Sequence, residues 1–299
     1  MLIFLKALMV VGMVLNVFLV LSKNAKIKAT PEGQELWAFG KKNIAWNIMI
    51  GVVANFFDTL GIGSYATSSF LIKIKSSVKD IHIPGTLNVG DTFPVCLEAF
   101  LFFGIVDVDY LTLITMIAAA TLGAFFGAGI VTKWNQHMVR IGMGVGLLIL
   151  GIIMLLRSLE VGPFGITGTA LKLTGVKLVV GIVINFFLGA LMNVAVGLYA
   201  PCLALVAVLG MNVAAAFPIM MGSCACLMAF GNGPKFVKEG KYDMVATMCQ
   251  MFAGAVGVLL AYFIVKSLPL KVLTWVVVCV VFLTSFLFFK DAIKGKKDD

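Results

Sequence analysis

Apolar residues in this chain do not alternate with polar ones; they run in blocks. Blocks at 44–60, 62–74, 85–105, 110–132 and 139–157 are followed by blocks at 176–192, 194–209, 211–230, 242–266 and 270–289. Residues 1–21 form one more, interrupted only by Lys6 and Asn16. A helix of about 20 apolar residues crosses a hydrocarbon core of about 30 Å, because it satisfies its own backbone hydrogen bonds where water cannot. The pattern therefore predicts membrane helices throughout. In each series the first two blocks are short and separated by glycines, which predicts a helix, a break and a second helix.

The two series repeat each other. Residues 51–57 read GVVANFF and residues 181–187 read GIVINFF. Gly63-Ser64-Tyr65-Ala66 pairs with Gly197-Leu198-Tyr199-Ala200, and Asn88-Val89 with Phe93-Pro94 pairs with Asn212-Val213 with Phe217-Pro218. Tyr110 with Thr115-Met116 pairs with Tyr242 with Thr247-Met248. The order is kept throughout. The predicted organisation is an N-terminal helix and basic cytoplasmic loop (1–42), a first repeat (43–157), a linker (158–175), a second repeat (176–290) and a cytoplasmic tail of mixed charge (291–299). Residues 1–21 are long for a signal peptide and no A-x-A site follows them, so they predict a retained first helix.

Composition fixes the class. Of 299 residues 61% are hydrophobic and 12% charged, with a mean hydropathy of +1.07, whereas soluble domains carry about 25% charged residues. The fold class predicted is an all-α, multi-pass membrane protein. The net charge of +9 then reads as topology rather than as a nucleic-acid surface, because cytoplasmic loops collect Lys and Arg. Five segments per repeat gather the basic residues of 23–42, 73–79, 133–140, 235–241 and 290–297 on one face; four per repeat divide them less sharply. Five is odd, so the second repeat enters from the opposite side and the repeats are inverted, as in secondary transporters. A re-entrant hairpin for each short pair fits equally, provided both its ends stay on one face. The C-terminus is then cytoplasmic and the N-terminus outside, in a cell (plasma or inner) membrane.

The breaks are the candidate site. Matched interruptions in two inverted halves point to a transport site near the midplane, and half-helix N-termini hold anions without a basic side chain. The predicted substrate-binding set is Asn55, Gly61, Gly63, Ser64, Tyr65 and Thr67 in the first half, with Asn185, Asn193, Gly197, Tyr199 and Pro201 in the second. Glycines at one break would fit mere close packing of helices; two breaks in register favour a site. Asp58, Asp91 and Glu98 lie inside predicted spans, where a charge is expensive and usually functional. They are the candidate coupling residues, and all belong to the first half. Pro94 and Pro218 predict matched kinks. The six cysteines lie in apolar runs, and Cys224-Ala-Cys226 is too close for zinc spacing, so no metal and no cofactor are expected.

Two halves that each open with an Asn- and Gly-interrupted pair around G-x-Y-A, with Pro201 after the second break, resemble the TauE/SafE family, the toluene-sulfonate uptake permeases. The family's G-x-G-G-G run is replaced here by Gly61-Ile62-Gly63-Ser64 and by Val196-Gly197-Leu198. The resemblance implies a small anionic solute, a sulfur oxyanion, sulfonate or carboxylate, moved with protons. A second reading is a transporter of a cation or cationic metabolite held by Asp58, Asp91 and Glu98. A third, an intramembrane enzyme, has no Tyr-Asp or Gly-x-Gly-Asp signature to carry it, and no P-loop suggests ATP-driven transport. The expected partners are the lipid bilayer and the solute, with no nucleic acid.

Overall fold

A computed structural model describes residues 1–162, 168–194, 196–264 and 270–295. It is all helical in its named elements. The helices are α1 (Leu2–Lys28), α2 (Pro31–Lys41), α3 (Ile44–Thr59), α4 (Ser64–Lys75), α5 (Ile83–Gly90), α6 (Thr92–Phe102), α7 (Tyr110–Val131) and α8 (Gln136–Ser158), then α9 (Gly175–Leu191), α10 (Tyr199–Val208), α11 (Ala216–Cys226), α12 (Gly233–Glu239), α13 (Met244–Ile264) and α14 (Leu270–Gly295). Among the described residues seven helical stretches are long and apolar enough to cross a membrane. The protein is a multi-pass membrane protein built of helices.

Local chemistry sets the helix ends. Thr30 caps α2 by accepting from the Gly33 amide at 3.1 Å, with Pro31 in the first turn where its missing N–H costs nothing. Asp109 and Asn135 cap α7 and α8 through the Thr112 and Met138 amides. Asp243 caps α13 through the amides of Val245 and Ala246. Three expected boundaries move. The polar stretch after residue 21 is not a loop: α1 continues to Lys28 and α2 follows, because Thr30-Pro31 is a helix-start signal. The third block of the second half extends through a π-helical turn (Leu227–Asn232) into α12, and α14 takes the first five residues of the expected tail. Residues 163–167 of the expected linker and 296–299 of the tail lie outside the described residues.

The helices pack in an exchanged pattern. Helix α3 of the first half packs mainly on α13 of the second, and α9 of the second mainly on α7 of the first. Helix α8 pairs with α14 and α6 with α11, while α4 lies on α14 and α10 on α8. Glycines set the close approaches. A Cβ on Gly123 would overlap the Phe186 carbonyl of α9, one on Gly189 the Ala120 carbonyl of α7, and one on Gly257 the Val52 carbonyl of α3. Gly123→Val is therefore expected to force α7 and α9 apart and to remove most of the monodisperse protein on size exclusion in detergent. A normal elution profile for this variant would show that the helices do not meet at Gly123.

The molecule is inside-out relative to a soluble domain. Phe18, Phe126, Phe187, Phe263 and Phe286 are each at least 60% exposed, whereas Asn55, Asn88, Asp91, Glu98, Asn185 and Asn193 are completely buried. One end gathers charge. Lys73 pairs with Asp80 (2.8 Å) and Asp291 (2.5 Å), Arg140 pairs with Asp80 (2.7 Å), and Lys23 donates to the Lys238 carbonyl (2.8 Å). At the other end Leu2 of α1 packs over Gly104, so the start of α1 and the end of α14 lie at opposite ends of the bundle.

Candidate functional site

The first break is a turn that only glycine makes cheaply. Gly61 and Gly63 have φ of 79° and 97°, values that residues with a Cβ rarely adopt. The Gly61 amide donates to the Asp58 carbonyl at 2.8 Å and the Ile62 amide to the Phe57 carbonyl at 3.2 Å, which stops α3. The chain then doubles back as α4, and the Trp46 indole near the start of α3 donates to the Leu71 carbonyl near the end of α4. Twelve residues of α4 span about 18 Å, less than a hydrocarbon core of about 30 Å, so the turn lies at membrane depth. The second break is built differently. Helix α9 tightens into a 3₁₀ turn (Met192–Val194), and α10 starts at Tyr199.

Both breaks open on one small cavity. Asp58, Gly63, Ser64 and Tyr65 line it from the first, and Gly197, Leu198 and Tyr199 from the second, with Val95, Leu150, Met192, Cys224 and Met228 closing the sides. It has room for one water or two.

An acid network stands at this cavity. The Ser64 amide, the first of α4, donates to Asp58 Oδ1 at 2.6 Å, and the Ser64 hydroxyl donates to Asp91 Oδ2 at 2.9 Å. Asn55 Nδ2 donates to Asp91 Oδ1 at 3.2 Å. The Tyr199 hydroxyl donates to Glu98 Oε2 at 2.7 Å. Thr59 Oγ1 lies 2.9 Å from the Asn55 carbonyl and 2.8 Å from Glu98 Oε1. Its single hydrogen serves one of the two. With that hydrogen on the Asn55 carbonyl, the Glu98 contact becomes a hydrogen bond only when Glu98 itself carries a proton. Among the described residues no Lys or Arg takes part. Asp58 places a carboxylate at the N-terminus of α4, where the helix dipole and the free amides would otherwise receive an anion.

A second, neutral cluster adjoins it. The Tyr65 hydroxyl donates to Asn88 Oδ1 at 2.8 Å, and Asn232 Nδ2 donates to the same oxygen and to Asn193 Oδ1 at 3.3 Å. Asn88 Nδ2 reaches the Pro84 carbonyl at 2.8 Å and the Met192 carbonyl at 3.3 Å. Asn232 ends the π-helical turn, an irregularity often found at functional sites.

The expected residues divide into three groups. Asp58, Gly63, Ser64, Tyr65, Gly197 and Tyr199 line the cavity. Asp91 and Glu98 stand one hydrogen bond behind Ser64 and Tyr199, and Asn55 behind Asp91. The others lie away from the cavity lining. Gly61 packs against the Phe217 ring, Thr67 is buried with its hydroxyl making no hydrogen bond among the described residues, and Pro201 is buried in the first turn of α10. Asn185 Nδ2 is spent on the Met116 carbonyl (2.7 Å) and Ser223 (3.1 Å), so it ties α9 to α7 and α11. Asn193 Nδ2 bonds the carbonyls of Ala124 and Ala190. Pro94 and Pro218 occupy the third positions of α6 and α11, each just beyond an interruption of its segment. A proline frees the carbonyl four residues back, which for Pro94 is that of Gly90, where α5 ends.

Three residues at the site stand outside the sequence expectations, Thr59, Asn232 and Met192, and a fourth, Cys224, enters them only as a core cysteine. Thr59 was legible as one helical turn beyond Asn55. Asn232 was legible in Gly231-Asn232-Gly233-Pro234, a break signal inside an apolar block. Met192 and Cys224 carry no signal distinguishing them from core packing.

No family model, no curated protein and no solved structure matches the chain.

Proposed function

We propose that the protein is a secondary transporter that moves a small anion together with protons through the cavity between the two breaks. The observation that carries this reading is the Asp58 carboxylate on the Ser64 amide. When ionised, Asp58 is an intrinsic anion at the α4 N-terminus; protonating it removes the charge and weakens its hold on that amide, which a solute anion can then take. Proton uptake and anion binding then become one event. Asp91 and Glu98 stand beside it as further proton holders. The exchanged helix partnerships support two repeats of inverted orientation, and the charge-rich end supports a cytoplasmic C-terminus with the N-terminus outside. The residue pattern shared with the TauE/SafE family favours a sulfur oxyanion, a sulfonate or a short carboxylate.

The cation reading is weaker on the same geometry. Both oxygens of Asp91 and one of Glu98 already accept hydrogen bonds, and among the described residues no Asp, Glu, His or Cys cluster is arranged to hold a metal ion. The test is a thermal-shift screen of the purified protein against sulfite, thiosulfate, sulfoacetate and short carboxylates at pH 5 and pH 7.5. Stabilisation by one of these anions, stronger at the lower pH, is the expected result. Stabilisation by Na⁺ or amines alone would overturn the anion reading.

A further inference from the structure

Helices α3 and α13 run parallel, with Gly51 against Cys249 and Gln250, and Asn55 against Gly254. Their shared seam is unlike the matching seam of α7 and α9. On α3 it carries Asn47, Gly51 and Asn55 at intervals of four; on α13 it carries Asp243, Thr247, Gln250 and Gly254 at intervals of four, three and four. Helix α5 forms its third wall: the Thr86 hydroxyl accepts from the Asp243 amide at 2.9 Å, and Gly90 packs on the Gln250 side chain. Asn47, Asn55, Thr247 and Gln250 are each 1% exposed or less. Both polar atoms of Asn47, both of Gln250, Thr247 Oγ1 and Asn55 Oδ1 make no hydrogen bond among the described residues. A buried polar atom left in this state costs about 1–3 kcal/mol, and here they share one seam. In the α7–α9 seam Asn185 Oδ1 is the one such atom among the described residues.

We infer that the α3–α5–α13 seam takes up a file of water and carries protons between Asp91 and the charge-rich end of the protein at Asp243. This rests on the proton-coupled reading above and gives the proton a route separate from the solute cavity. The step conserves atoms and charge. A protonated Asp91 passes its proton to the first water and becomes a carboxylate, and one proton leaves the file at the Asp243 end. Asp91, with Asp58, Glu98 and Tyr65 beyond it, faces the inner end. Asp243 and Lys79 face the outer end. Between them the titratable side group on the three helices is Cys249, whose thiol lies 3.9 Å from the Ile44 carbonyl.

The test replaces the polar groups with apolar ones of like size: Asn47→Leu, Thr247→Val and Gln250→Met. Thr284→Val, a buried change whose hydroxyl bonds its own helix at Val280, is the control. Full-length protein in vesicles is assayed for anion counterflow at equal pH, which needs no net proton movement, and for accumulation driven by a pH gradient. Counterflow is expected at the wild-type rate and accumulation to fall by about tenfold or more in the three seam variants alone. The melting temperature of Gln250→Met is expected to fall, because its water partners are stranded. Undiminished accumulation overturns the route. A rise in melting temperature also overturns it, since removing orphaned groups from a dry seam stabilises. If the wild type shows no counterflow with any anion, the transport reading fails, and the melting temperature alone decides the seam.

Discussion

Asp58→Asn is expected to abolish proton-driven accumulation while tightening anion binding about tenfold at neutral pH. The carboxylate receives the Ser64 amide at 2.6 Å and so competes with the solute for the α4 N-terminus. A hydrogen bond to a charged acceptor contributes about 1.5–3 kcal/mol, against about 0.5–1.5 for a neutral one. Asparagine keeps an acceptor oxygen but gives up that difference, and about 1.4 kcal/mol is a factor of ten in affinity. The sign in the wild type follows. Affinity rises as pH falls, because protonation withdraws the competing charge, and in the variant that dependence flattens. Isothermal titration across pH 5 to 8 reads both effects. Weaker binding in the variant, or an unchanged pH dependence, would sink the competition mechanism.

Glu98→Ala is expected to cost about 2–4 kcal/mol of stability, and Glu98→Gln to recover most of it while losing pH-dependent uptake. Alanine strands the Tyr199 hydroxyl, whose single acceptor across the helices is Glu98 Oε2 at 2.7 Å, and leaves a void at a completely buried site. Thr59 suffers less, because the Asn55 carbonyl can keep its hydrogen. Glutamine offers Tyr199 an oxygen and Thr59 an N–H in the shape of the protonated acid, but it cannot release a proton. Denaturation midpoints read the first effect and uptake at two pH values the second. A Glu98→Gln protein with full pH dependence would remove Glu98 from the coupling set. A Glu98→Ala protein as stable as wild type would mean that the Tyr199 contact does not form.

The helical blocks were legible because their signals are local. Apolar length sets a span, and Gly61 and Gly63 mark a turn that other residues resist. Boundaries shift where a helix-start or break signal lies inside a longer polar or apolar stretch, as at Thr30-Pro31 and at Gly231-Asn232-Gly233-Pro234. The site was half legible. Both glycine breaks were placed, and the internal repeat paired Tyr65 with Tyr199. Their pairing said nothing about partners: Tyr65 reaches Asn88, and Tyr199 reaches Glu98, 101 residues away in the chain. Asn185 shows the limit from the other side. It repeats Asn55 in sequence, yet its amide holds helices together.

By itself, then, the sequence determined a membrane-embedded bundle of helices, two broken pairs, and three acids confined to one half. Each follows from residue type and spacing within one helix, where backbone geometry fixes the outcome. The tertiary structure decided that the two breaks face one cavity, that Asp58 occupies a helix terminus, and that α3 and α13 enclose a polar seam while α7 and α9 do not. Those facts depend on how helices far apart in the chain register against one another, and that register is set by close contacts at glycines such as Gly51, Gly123 and Gly257 rather than by any periodicity along the chain.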